Sequence, residues 1–215
     1  YGIWQTTTWS DLALLVRRLA CGLAHAGVQR GDHIVVVGEN RPRLYASMLA
    51  AQALGAVPVP LYQDAVAAEY RFPINNAEVR FAFAEDQEQV DKLLEIRETV
   101  PGLTHIIYDD GRGLRNYAHA GLHEFEQVQA LGRTLAQNQP SFFMDEVLAG
   151  QPDDIAVILY TSGTTGKPKG VKRGHTRAPA GSAAPIAVFM TTPMAYDEQT
   201  VYLNPAPLYH AAPMG

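Results

Sequence analysis

Short apolar runs alternate with helical stripes along most of this sequence, and that alternation restricts the chain to few architectures. Thr8 and Asp11 have the spacing of a helix-capping pair, and Leu12, Leu15, Val16, Leu19 and Leu23 follow on one stripe. Gly27 supplies the left-handed residue that ends this helix. His33–Val37 is a β-branched run bounded by Gly31 and Gly38, which predicts a buried strand. Residues 43–54 predict a second helix, with Pro42 near its first turn and Gly55 after it. Residues 56–59 predict a strand closed by Pro60, and 79–84 a further strand. An amphipathic helix is expected over 87–100, a strand over 105–108 and a helix over 123–137. Strands joined by helices require crossovers, so the expected class is α/β, with mostly parallel sheets flanked by helices.

Two stretches depart from the pattern. Pro73 falls inside a helix that 65–76 would otherwise form, and is expected to break or end it. Residues 172–185 carry three basic residues, three glycine or serine positions and two prolines, and read as a loop.

Composition narrows the function classes. The chain has 215 residues, 47% of them hydrophobic, which permits a sizeable core and excludes disordered, collagenous and disulfide-rich classes. Cys21 has no second cysteine to pair with, which fits a reducing compartment. A net charge of −5 gives no electrostatic reason to expect nucleic acid as a partner. The first 25 residues lack a basic segment followed by an apolar core. The longest apolar runs, 155–160 and 183–190, fall well short of the ~20 residues that span a bilayer. The expectation is therefore a cytoplasmic protein; peripheral membrane contact and oligomeric state stay open. No Cys/His cluster has zinc spacing. His25, His33, His105, His119 and His123 have no partner constellation in the sequence, and Asp109 and Asp110 read as a strand-ending turn.

The chemistry concentrates in one place. Residues 155–160 form a continuous apolar run, as expected of a central parallel strand. Directly after it comes Thr161-Ser162-Gly163-Thr164-Thr165-Gly166-Lys167-Pro168-Lys169-Gly170. Its glycines allow backbone N–H groups to approach a ligand closely, four hydroxyls add donors, and two lysines add positive charge. Polyphosphate oxygens require such a set. The P-loop pattern G-x-x-x-x-G-K-[ST] does not fit, because Thr161 stands where its first glycine belongs and Pro168 follows Lys167. A solvated Gly/Thr/Lys turn is the bland alternative, and the ordered string behind an apolar run argues against it.

The full string from Tyr160 to Gly170 resembles the nucleotide-binding signature of the adenylate-forming acyl-CoA synthetases. Residues 30–40 and 54–61 are similar to the early strands of that family, most like its long-chain fatty acyl members. Residues 206–213, Ala-Pro-Leu-Tyr-His-Ala-Ala-Pro, resemble its second core motif. The resemblance implies a two-step reaction in which a carboxylate attacks the α-phosphate of ATP, giving an acyl-adenylate, and coenzyme A then displaces AMP. It implies that Ser162, Gly163, Thr164, Thr165, Gly166, Lys167 and Lys169 hold phosphate, with Lys169 the better candidate of the two lysines. Thr161 would serve both phosphate and Mg2+. His210 would line or gate the acyl channel, and His175 would sit just past the loop. No certain catalytic side chain is implied within residues 1–215. The family's magnesium-binding glutamate, ribose-binding aspartate and adenylation lysine lie C-terminal to the second motif. The chain thus corresponds to a partial large N-terminal domain, expected to show no ligase turnover alone. The alternatives are a non-catalytic nucleotide-binding remnant, or a ligase for aryl, bile-type or amino acids.

Overall fold

A computed structural model describes residues 6–162 and 168–171; for 161, 162 and 168–171 it describes the backbone alone. The first helix, α1 (Trp9–His25), starts at the Thr8/Asp11 pair as expected. The Thr8 hydroxyl accepts from the Asp11 N–H at 3.1 Å, while the Asp11 carboxylate accepts from the Thr8 N–H at 3.0 Å. Then follow β1 (His33–Val37), α2 (Pro42–Ala53), β2 (Val57–Leu61), α3 (Ala67–Asn76), β3 (Phe81–Ala84) and α4 (Gln87–Glu95). A single 3-10 turn leads to β4 (His105–Tyr108), β5 (Leu122–Glu124), α5 (Phe125–Asn138) and α6 (Phe142–Leu148).

β1 to β5 form one five-stranded sheet in the order β2-β1-β3-β4-β5, with every neighbouring pair parallel. The period-2 alternation of the strands divides the core between two faces. Ile34, Val36, Phe81, Phe83 and Ile107 pack with α1, α2 and α5 on one face. Val35, Val37, Val59, Ala82, Ala84 and Ile106 pack with α3 and α4 on the other. Among the described residues no helix is long and apolar enough to cross a membrane.

Four expectations need correction. The helix over 123–137 begins later, because His123 belongs to β5, a three-residue strand that pairs with β4. Pro73 lies inside α3 without ending it. The carbonyl it leaves without a donor belongs to Glu69, an exposed residue, and Pro73 itself is buried.

Pro60 does not close β2, which runs through both Pro58 and Pro60 to Leu61. The Val57 N–H donates to Asp32 O at 2.8 Å, so Val57, Val59 and Leu61 direct their backbone groups toward β1. The two prolines then fall on the outward edge, where an N–H has no ladder partner to lose. That edge also explains the fourth correction. The run 155–160 is not a central parallel strand. Only its last two residues enter a strand, β6 (Leu159–Ser162), which pairs antiparallel with β7 (Pro168–Val171) in a separate two-stranded sheet. Pro58 and Pro60 offer acceptors but no donors, so a continuous ladder beside β2 cannot form. Among the described residues the run meets β2 through the Ile158 N–H, which donates to the Pro58 carbonyl at 3.1 Å.

Candidate functional site

The string from Tyr160 to Gly170 is carried by the β6–β7 hairpin. Leu159 pairs with Val171, Tyr160 with Gly170, Thr161 with Lys169 and Ser162 with Pro168. Thr161 and Lys169, the residues singled out for magnesium and phosphate, are therefore register partners on adjacent strands. Gly163, Thr164, Thr165, Gly166 and Lys167 lie outside the described residues, as do His175, His210 and the stretch 172–185.

The segment entering the hairpin is tied to the parallel sheet and its helices. The Gln52 side-chain amide donates to the Ala156 carbonyl at 2.8 Å. Val157 packs on the α1/α2/α5 face, while Ile158 and Tyr160 pack on the α3/α4 face. The Tyr160 hydroxyl donates to Asn76 Oδ1 at 2.7 Å, at the C-terminal end of α3.

A second arrangement, not foreseen from the sequence, occupies the C-terminal ends of β1, β3 and β4. Here the strand order reverses, since β1 is followed by β2 on one side and by β3 on the other. A crevice is lined there by Glu39, Arg41, Arg43, Glu85, Asp109 and Phe125. The Glu85 carboxylate accepts from the Glu39 N–H at 2.5 Å and pairs with Arg41 Nε at 2.5 Å. Burial pushes the Glu85 carboxyl up, while the Glu39 N–H and the Arg41 guanidinium pull the other way. Arg43 bridges Asp109 at 2.7 Å and Glu126 at 2.8 Å, above the Phe125 ring. Both guanidinium groups are thus taken up by acids of the chain. The crevice joins strand ends to α5, and among the described residues that line it Arg41 and Arg43 are both paired with acids. Asp109, expected only as a turn residue, is part of this junction.

The histidines also differ from expectation. His105 Nδ1 lies 3.1 Å from His123 Nε2, so one imidazole donates to the other, and Phe81 stacks on His105 at 4.7 Å between ring centroids. The register of β4 and β5 creates this pair, which spacing in the sequence does not reveal. His33 Nδ1 lies 2.5 Å from the Ala77 carbonyl. Among the described residues no group of three or more His, Cys, Asp or Glu side chains is placed to hold a metal ion.

Burial, then His123 and Arg80, hold the His105 imidazole below its ordinary range. An imidazole depressed in the folded state takes up its proton first in the unfolded chain. Its stabilisation is present above about pH 6.5 and is lost as the pH falls through the folded value. The urea midpoint of the wild-type chain is expected to drop more steeply between about pH 7 and 5 than that of His105→Gln. Parallel pH profiles for the two proteins would contradict the assignment.

The sequence profile of the AMP-binding enzyme family matches residues 1–215. The chain belongs to this family. The long-chain-fatty-acid–CoA ligase FadD15 of Mycobacterium bovis is 30% identical over 169 residues, which cover 79% of this chain and 26% of that protein. A feruloyl-CoA synthase of an Amycolatopsis species is 30% identical over 214 residues, covering 97% of this chain and 35% of that protein. Among solved structures, the anthranilate CoA ligase AuaEII in complex with anthranoyl-AMP shares the fold, with a TM-score of 0.66 at 22% identity. That match covers 80% of this chain and 30% of the other. The chain thus spans about a quarter to a third of the length of these relatives. Within it, the two ends of the string 160–170 sit on paired strands.

Proposed function

We propose that this chain supplies the nucleotide-phosphate site of an ATP-dependent carboxylate-activating ligase. What supports the reading is one observation: a family member carries the string 160–170 with Thr161 in register opposite Lys169. In this reading the chain is part of a large N-terminal domain, and its hairpin holds the β- and γ-phosphates of ATP. Backbone amides and hydroxyls from Ser162 to Thr165 contact phosphate oxygens, and Lys167 and Lys169 balance their charge. Thr161 is the hydroxyl that fits Mg2+, which when bound neutralises triphosphate charge and polarises the α-phosphorus. These groups position the reacting phosphate and stabilise charge; they do not transfer a proton. His210 lines the acyl channel. The carboxylate attacks the α-phosphorus of ATP and expels pyrophosphate, giving an acyl-adenylate, and the coenzyme A thiol then takes the acyl group as a thioester and expels AMP. The substrates are small molecules, and the setting is cytoplasmic.

For the carboxylate we propose a long-chain fatty acid, supported by the similarity to FadD15. An aryl acid is the second reading, favoured by the match to a feruloyl-CoA synthase over 97% of the chain. ATP–pyrophosphate exchange by an enzyme that includes this chain decides between them. Exchange with a long-chain fatty acid but not with ferulate is expected, and the reverse would assign the aryl acid. No exchange with any carboxylate would overturn the ligase reading.

A further inference from the structure

The strand that enters the nucleotide string is clamped by one side chain. Tyr160 is half-buried, and its ring meets Phe72 edge-on, with centroids 6.1 Å apart and planes at 89°. Its hydroxyl donates to Asn76 Oδ1 at 2.7 Å. Phe72 and Asn76 are four residues apart on α3, so ring and hydroxyl are held at two points one turn apart on one helix face. Phe72 is 47% exposed, and the edge-on contact with Tyr160 gives this otherwise exposed ring a partner. Just upstream, the Ile158 and Gln52 bonds fix the backbone at 156–158, which leaves Tyr160 to set where the strand goes next. Residue 161 follows directly, and Gly170 pairs with Tyr160 across the hairpin.

We propose that Tyr160 is a positioning residue, which fixes the backbone of Thr161, Ser162 and Lys169 relative to α3 and so sets the nucleotide affinity of the hairpin. The inference rests on the nucleotide reading above, but its mechanical half does not. Loss of one hydrogen bond of this kind is expected to change the opening equilibrium of the hairpin about fivefold. Burial keeps the Tyr160 phenol protonated by pushing its pKa up, so it remains a donor throughout the neutral range.

The test uses the 215-residue chain and four variants: Tyr160→Phe, Asn76→Ala, the double variant, and Asn76→Asp, which keeps an acceptor at Oδ1. Amide hydrogen exchange without nucleotide is expected to rise about fivefold over 159–162 and 168–171 in each of the first two. The double variant is expected to rise no further, and Asn76→Asp to match the wild type. Titration with Mg-ATP is expected to show affinity falling about fivefold in the same variants, with the urea midpoint of the parallel sheet unchanged. Unchanged exchange in Tyr160→Phe would overturn the clamp. Faster exchange with undiminished affinity would overturn the positioning role. Failure of the wild-type chain to bind ATP would overturn the nucleotide reading and the positioning role with it. Exchange, measured without ATP, tells that failure apart from failure of the clamp.

Discussion

Phe81→Ala is expected to cost the chain about 3–5 kcal/mol of folding stability, read as a lowered urea midpoint with an unchanged slope. Phe81 is fully buried on β3, where it pairs with Ile34 of β1 on one side and His105 of β4 on the other. Its ring also stacks on His105, and Arg80 lies over its ring. Truncation removes apolar area from the α1/α2/α5 face and leaves a cavity that two hydrogen-bonded neighbours prevent from collapsing. Domains of this kind are commonly stable by about 5–15 kcal/mol, so a large share of the total would go. The variant has a second expected consequence. Without the ring above it, His105 gains access to water, and its depressed titration moves back toward the ordinary imidazole range. A loss below about 1 kcal/mol would show that the sheet centre is not packed as described.

Gly132→Ala is also expected to destabilise the chain, by less than Phe81→Ala, although alanine is the better helix former. The α1 and α5 helices cross with backbone against backbone: a Cβ at Gly132 would meet the Arg18 carbonyl, and one at Gly22 would meet the Val128 carbonyl. Neither obstacle is the flexible end of a side chain, so the helices would have to separate. Overpacking of this type costs about 1–3 kcal/mol, against a gain of under about 1 kcal/mol from propensity. Separation would also loosen Leu19, Leu23 and Val128, which fill the space beside the contact. Chemical denaturation of Gly132→Ala decides the sign. A stabilised variant would mean that propensity governs and the close approach is absent.

Much of the fold is legible in the sequence where a local rule meets no competitor. His33–Val37 is β-branched, bounded by glycines and buried in the sheet, and the strand falls on the expected residues. Thr8 and Asp11 begin α1 because both halves of a capping box are satisfied within four residues. The rest depends on distant partners. β5 is three residues long without a β-branched member, and becomes a strand only because β4 presents an open edge. Pro60 looks like a terminator until the β1 register places it, with Pro58, on the outward edge of the sheet. The same prolines explain why the apolar run at 155–160 does not become a central strand. His105 and His123 meet through strand pairing, and Gly22 and Gly132 through helix crossing; neither pair has a periodic signal to find. In the site, residue order identifies the string, and the hairpin register adds that Thr161 stands opposite Lys169. The clamp by Tyr160 belongs to neither, since Asn76 lies 84 residues away in sequence.

Calorimetric titration of the folded 215-residue chain with Mg-ATP, alongside Thr161→Ala and Lys169→Ala, probes the nucleotide site directly. Saturable binding is expected for the wild type, with each variant weakened by about tenfold or more, as befits lost charge-assisted contacts to phosphate. Wild-type circular dichroism with no heat of binding, or variants that bind as tightly as the parent, would contradict the assignment of the β6–β7 hairpin to nucleotide phosphate.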